Sequence, residues 1–395
     1  MSAAPAASGA LPVYVAKGVR VYVSGLLSII IPFYLKVIGY GPFFQGVALV
    51  AILAGNALSN VAVTYLDALV GRRRLLQAFS LLMVVAGLVL AVDTSAAFIL
   101  VACFLGNISS TGTEAGPFQS IEAGTLPELT PAQSSVKVFG RYNLIGYSAA
   151  AVGQLTSAGP GLLGNTLTSF HAVFVGFALA GVVLFAIYSR LHAIEGGRST
   201  RPGLGDLGPQ ARKDLVALSG LFSVDAFGGV FVTTYLLSIW FNITYGLQLE
   251  VLGPIFFVAA LVAAASTYGA ALIAARVGNL RTMVYTHLVS SAFLVFMGLA
   301  GSLLPALGFL FLRQSFSQMD VPTRQALMSE MFQSKERVQA YAVTNTMRSA
   351  GSFVAGPVAA GILGLGLVSI VPFAGGGTKI IYDLMTYISY HKRYR

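Results

Sequence analysis

Charge is what this 395-residue chain has least of. Only 10% of its residues are charged, against 56% hydrophobic, and the mean hydropathy is +0.79. So little polar surface excludes an ordinary soluble domain and points to a membrane protein. Cys103 is the only cysteine, so an intramolecular disulfide is impossible and a cysteine-held metal or iron–sulfur centre is not expected; a buried, inert thiol is. No Gly-rich loop followed by Lys-Ser/Thr is present, which removes support for ATP hydrolysis, and no cofactor or metal is expected. A cleavable signal is not evident either: Met1 to Leu11 carries no charged side chain, and the first apolar run is long enough to stay in the membrane.

What is there is a series of long apolar runs. A helical span needs about 20 apolar residues, and twelve runs qualify, near residues 15–39, 43–66, 75–93, 96–123, 138–163, 168–190, 214–240, 249–275, 282–303, 305–331, 338–364 and 367–389. Short cytoplasmic loops carry the Lys and Arg excess. Nineteen of the 24 basic residues fall on one side of this arrangement, from Lys17 and Arg20 through Arg72, Arg73 and Arg74 to Lys392, Arg393 and Arg395, and only Lys36 falls on the other. Both termini are therefore expected in the cytoplasm, with the chain spanning the cytoplasmic membrane many times. The net charge of +10 is spread over loops that would face anionic lipid, so nucleic acid is not an expected partner.

The longest polar interruption, Ser189 to Lys213, is rich in Gly and Pro and suits a linker. It organises the chain into a tail (1–14), a six-span half (15–190), a linker (191–213), a second six-span half (214–389) and a short tail (390–395). The halves share landmarks. Val70-Gly71 matches Val277-Gly278, Gly116-Pro117 matches Val321-Pro322, and Phe139 to Asn143 matches Tyr341 to Asn345, at offsets of 207, 205 and 202 residues. Three matches in one order at nearly one offset favour a duplication.

Charges inside the spans are costly and usually functional. Glu114 and Asp225 have no cation within a helical turn on their own segments, which makes them the candidate proton carriers, since desolvation of an unpaired acid favours its neutral form. In the tenth span Arg313, Ser317, Asp320 and Arg324 follow a spacing of four, three and four and are expected to share a helix face beside Pro322. Arg348 lies in the eleventh span, within possible reach of them. Lys379 and Asp383, four residues apart in the twelfth, are expected to pair locally, and Glu122 is expected at an interface or in a latch.

At this level the chain resembles the major facilitator superfamily, whose members have two pseudo-symmetric six-helix bundles joined by a cytoplasmic linker. The resemblance covers essentially the whole chain. Its best motif is Asp67-Ala68-Leu69-Val70-Gly71-Arg72-Arg73-Arg74, similar to the second part of the family's G-x-L-A-D-R-x-G-R-R/K loop, with Val63 at the leading Gly and Ala68 where Arg usually follows Asp. The resemblance implies that Asp67, Gly71, Arg72, Arg73 and Arg74 form a cytoplasmic latch, and that helices one, four, seven and ten line a central cavity. Gly159-Pro160-Gly161 on helix five and Gly356-Pro357 on helix eleven are similar to fragments of a motif common in family antiporters, although packing accounts for them equally well.

The expectation is an all-α membrane protein with twelve transmembrane helices, a secondary transporter and not an enzyme. It would work by alternating access as a probable monomer among membrane lipids, exporting a small organic solute in exchange for protons. Glu114 and Asp225 would carry the proton, and Arg313, Asp320, Arg324 and Arg348 would bind solute or gate. The alternatives are proton-coupled uptake of an organic anion, a lipid scramblase and a non-transporting receptor.

Overall fold

The structure, a computed structural model, describes residues 10–113, 116–130, 135–191 and 208–393. Among these the chain is helical, without strands. The first half runs α1 (Leu11–Val37), α2 (Pro42–Val70), α3 (Arg72–Val92), α4 (Ala96–Leu105), α5 (Pro117–Leu129), α6 (Ser135–Thr156), α7 (Gly159–Leu162) and α8 (Leu167–Ser189). The second runs α9 (Pro209–Val230), α10 (Thr234–Tyr245), α11 (Leu249–Val277), α12 (Asn279–Leu299), α13 (Leu303–Ser317), α14 (Asp320–Met331), α15 (Ser334–Gly364) and α16 (Val371–Tyr390). These make twelve spanning segments, because α4 with α5, α6 with α7, α9 with α10 and α13 with α14 each form one interrupted segment. Seven segments are both long and apolar enough to be recognised on those grounds alone; the rest are broken or carry charge.

The helices expose large apolar side chains as well as burying them. On α3, Leu81, Val85, Leu88 and Val92 recur at helical spacing and are all exposed, while Ser80, Met83, Gly87 and Leu90 are buried. Exposed apolar stripes of this kind would be a liability in water and suit an acyl-chain environment.

The chain divides into two compact units, the described residues of Met1–Ser199 with Leu247–Phe257, and those of Thr200–Gly246 with Val258–Arg395. Within the first, α1 packs on α6 and α3 on α8; within the second, α9 packs on α15 and α12 on α16. These are the same pairings of first with fifth and third with sixth segments. Small residues make them close: a Cβ added at Gly153 would strike the Tyr22 carbonyl, and one added at Gly351 the Ser223 carbonyl. The duplicated landmark Gly71/Gly278 has a backbone explanation. Gly71 (φ 90°, ψ 143°) precedes α3 and Gly278 (φ 87°, ψ 161°) precedes α12, both in a region essentially reserved for glycine.

Four expectations about spans change. The fourth is not continuous: α4 stops at Leu105, and Asn107 takes a left-handed conformation (φ 51°). The polar run that follows bonds within itself and to α2, with Thr111 Oγ1 donating to the Thr113 carbonyl at 2.8 Å and Asn56 Nδ2 of α2 donating to the Ile108 carbonyl at 2.7 Å. Ser and Thr side chains that satisfy nearby backbone compete with the helix. The seventh breaks at Phe231–Thr233, where Thr233 caps α10 by accepting from the Leu236 amide at 3.3 Å. The tenth breaks at Gln318–Met319, so Arg313 and Asp320 belong to different helices. The linker also ends earlier than expected: α9 starts at Pro209, whose missing N–H and fixed φ suit a first helical position.

Candidate functional site

The second unit holds a buried charge cluster drawn from five helices. Asp225 on α9 is its hub, and both its oxygens are engaged. Lys379 Nζ donates to Oδ1 at 2.7 Å, and Arg348 Nη1 donates to Oδ2 at 2.7 Å. Arg324 Nη1 lies 3.5 Å from Oδ2 and 3.1 Å from Asp320 Oδ2. His287 on α12 completes it, with Nε2 3.6 Å from Asp225 Oδ1 and 3.2 Å from Lys379 Nζ, and Nδ1 2.8 Å from Asp383 Oδ1. The ring also meets Tyr382 edge-on at 5.7 Å, and the Arg324 guanidinium sits over the Phe222 ring at 5.5 Å.

These contacts suit one tautomer of a neutral His287. An ammonium has only donors, so Nε2 facing Lys379 must be the acceptor. A neutral imidazole then carries its hydrogen on Nδ1, which donates to Asp383. The cluster so arranged contains three carboxylates (Asp225, Asp320, Asp383), three permanent cations (Arg324, Arg348, Lys379) and a neutral ring. It is electrically balanced, which is what a low-dielectric site requires of buried charge.

Three expectations are corrected by this geometry. Asp225 is not an isolated acid, because residues remote in sequence bring cations to it. Lys379 and Asp383 do not pair along α16; their side chains turn inward, to Asp225 and to His287. Arg348 reaches α9 directly. His287 was absent from the sequence reading, although an imidazole inside an apolar run is a signal of the kind that drew attention to the acids.

Arg313 stands apart from the cluster. Its side chain, on α13, is buried, and Nη1 donates to Gln314 Oε1 at 2.7 Å, an oxygen that also accepts from Ser317 Oγ at 2.8 Å. Glu114 lies outside the described residues.

The first unit has its own buried network, where the sequence suggested only loop charges and an interfacial acid. Arg20 on α1 and Glu122 on α5 form a two-pronged pair, Nη1 to Oε1 at 2.9 Å and Nη2 to Oε2 at 2.7 Å. Tyr188 and Tyr142 donate to the same carboxylate at 2.7 and 2.8 Å. Arg20 is 3% exposed and Glu122 fully buried. Lys17, with Nζ 4.3 Å over the Tyr142 ring, is buried too. Neither basic residue is a loop residue, because α1 begins before them.

Asp67, Gly71, Arg72, Arg73 and Arg74, the residues expected to form a latch, lie at the α2–α3 turn. Arg72 Nε is 3.4 Å from Asp67 Oδ2, and Arg73 donates to the Ser189 carbonyl at the end of α8, beside Gln77, whose Nε2 donates to Ser189 Oγ at 2.9 Å. Gly71 supplies the turn conformation.

A sequence profile described as Major Facilitator Superfamily matches residues 13–356. The chain belongs to that superfamily. Structures with the same fold include the nucleoside transporter NupG (11% identity, TM-score 0.74, 96% of this chain and 99% of that one) and a D-xylose–proton symporter (14%, 0.72, 96% and 97%). A bacterial homologue of the iron transporter ferroportin, in an inward-facing state, is a third (12%, 0.73, 97% and 98%). An uncharacterized membrane protein of Saccharomyces cerevisiae is 25% identical over 378 residues, covering 86% of this chain and 84% of the relative. As a superfamily member the chain is a multi-pass membrane protein and a transporter of small solutes, not an enzyme.

Proposed function

We propose that the chain is a proton-coupled secondary transporter that exports a small organic solute across the cytoplasmic membrane, as a monomer with both termini in the cytoplasm. The reading rests on one observation, the position of His287 between Asp383 on one side and Lys379 with Asp225 on the other. Histidine is the side chain that gains and loses a proton near neutral pH. A proton arriving at Nε2 turns an acceptor into a donor facing an ammonium 3.2 Å away. Lys379 then loses its bond to the ring, and Asp225, 3.6 Å from Nε2, becomes the counter-charge of the imidazolium.

One proton therefore redistributes the contacts that tie α9, α12 and α16 together, a local change able to bias a two-state fold. Arg348 and Arg324, sharing Asp225, take part in the same exchange with Asp320, while Glu114 supplies a second protonatable group in the first half. The Asp67–Arg72 and Arg73–Ser189 contacts serve as the cytoplasmic latch that reforms in each cycle.

A second reading, proton-coupled uptake of an organic anion, is favoured by Arg313, whose hydrogen bond among the described residues is to a neutral amide. Both readings are tested in liposomes holding a pH-sensitive dye, screened with organic anions, organic cations and neutral amphiphiles under an imposed proton gradient. Solute-dependent proton flux, reduced in Glu114→Gln or Asp225→Asn, supports coupling, and its sign distinguishes export from uptake. Solute movement with no proton flux in the unmutated protein contradicts it.

A further inference from the structure

Among the described residues, Arg313, Arg324, Arg348 and Lys379 are basic side chains well inside the spans of α13 to α16, and three of them have carboxylate partners: Arg324 with Asp320, and Arg348 and Lys379 with Asp225. Arg313 has none among the described residues. The residue is 8% exposed, and among the described residues its guanidinium bonds to Gln314 Oε1, a neutral acceptor already shared with Ser317. A guanidinium carries five donors in a planar fork, and one neutral oxygen leaves most of them unused. Because the neighbouring cluster is balanced when His287 is neutral, it leaves the positive charge of Arg313 without an offset.

Burying a charge without a partner is unfavourable, and a packed apolar side chain of similar volume would serve the fold better. An arginine kept at such a place is suited to a partner that comes and goes. The fork matches the two oxygens of a carboxylate or a phosphate group. The break at Gln318–Met319, immediately after α13, leaves the last turn of this helix free of a rigid continuation into α14.

We propose that Arg313 is the anion-recognition group of the transport site, and that the solute is a small organic anion bearing a carboxylate or phosphate. This rests on the transport reading above and adds the solute's chemical class. Binding of a monoanion offsets the charge of Arg313, which no carboxylate among the described residues does. Gln314 orients the guanidinium through Nη1, and Ser317 holds Gln314 in turn.

The experiment measures binding, not flux, so it stands apart from the transport assay. Thermal unfolding of the purified full chain in detergent is followed with acetate, succinate, glycerol phosphate and inorganic phosphate, and with glucose and choline as neutral and cationic probes. At least one anion is expected to raise the unfolding temperature, with apparent affinity falling at least tenfold in Arg313→Gln and less in Arg313→Lys. Carboxylate-selective and phosphate-selective shifts tell the two ligand groups apart. Ligand-free Arg313→Gln is expected to unfold no lower than the unmutated protein, because the substitution removes an unpaired charge. Anion stabilisation undiminished in Arg313→Gln overturns the proposal, as does stabilisation by glucose or choline alone, a panel in which no anion acts, or a ligand-free variant that unfolds at lower temperature. Bound anion without flux would instead count against the transport reading.

Discussion

His287 on α12 donates from Nδ1 to Asp383 on α16 at 2.8 Å, and this one bond decides which ring nitrogen is open to a proton. With Nδ1 committed, Nε2 faces Lys379 and Asp225 as the acceptor. In Asp383→Asn the amide oxygen accepts from Nδ1–H less strongly than a carboxylate does, so the ring is held less firmly. Proton-driven transport by Asp383→Asn is expected to be slower than in the unmutated protein. Initial rates in proteoliposomes check this; an unchanged rate separates Asp383 from the coupling.

Removing the hub should be more damaging than removing a spoke. Asp225→Asn leaves Lys379 and Arg348, both partly exposed, without their buried carboxylate, and the cost is at most the roughly 3–5 kcal/mol of losing one partner of a fully buried pair. Asp225→Asn with Lys379→Gln is expected to recover part of that loss. Chemical unfolding in detergent micelles gives both values, and equal destabilisation of the single and double variants would show that the pair is not coupled.

The network of the first unit makes a matching demand. Glu122→Gln breaks the pair with Arg20 and weakens the bonds from two tyrosines, and about 3–5 kcal/mol should again be lost. Tyr188→Phe deletes the bond the hydroxyl donates to Glu122 and the one it accepts from Arg20, leaves the ion pair itself in place, and should cost less than Glu122→Gln. If the tyrosine substitution proves the more damaging, the carboxylate is not the centre of the network.

The duplicated turns allow a test of the internal repeat. Gly71→Ala and Gly278→Ala each force a Cβ into a backbone region that favours glycine, at a cost of about 1–3 kcal/mol. The two losses are expected to be similar, since φ and ψ differ by only a few degrees and less than 20 degrees between the sites. Thermal unfolding of the single variants reads this directly, and a harmless alanine at either position removes the backbone explanation for the shared glycine.

The twelve segments and the duplication were legible because hydropathy and a glycine at a strained turn are local properties written in short stretches of chain. The interrupted helices were not. Gly106-Asn107 and the Ser/Thr run after it are the only local mark of the break in the fourth segment, while Phe231 to Thr233 continues an apolar run without a gap in hydropathy. Partnerships across the unit were illegible for another reason. Asp225 looked isolated because pairing was sought within one helical turn, and its partners come from α14, α15 and α16. Lys379 and Asp383 looked like a local pair because their spacing permits one, but spacing states which residues can meet and not which alternative partners lie nearer. Arg20 was assigned to a loop by the charge bias, which says nothing about an acid waiting on α5.

The most direct test of the coupling compares two modes of transport in His287→Gln. Once a transported solute is in hand, labelled solute is followed in proteoliposomes by solute-for-solute exchange at equal pH and by accumulation against its gradient under an imposed proton gradient. The account predicts that the variant exchanges solute at a rate near that of the unmutated protein and fails to accumulate it, because the ring is needed only for the proton. Accumulation at the unmutated level by His287→Gln would contradict the account.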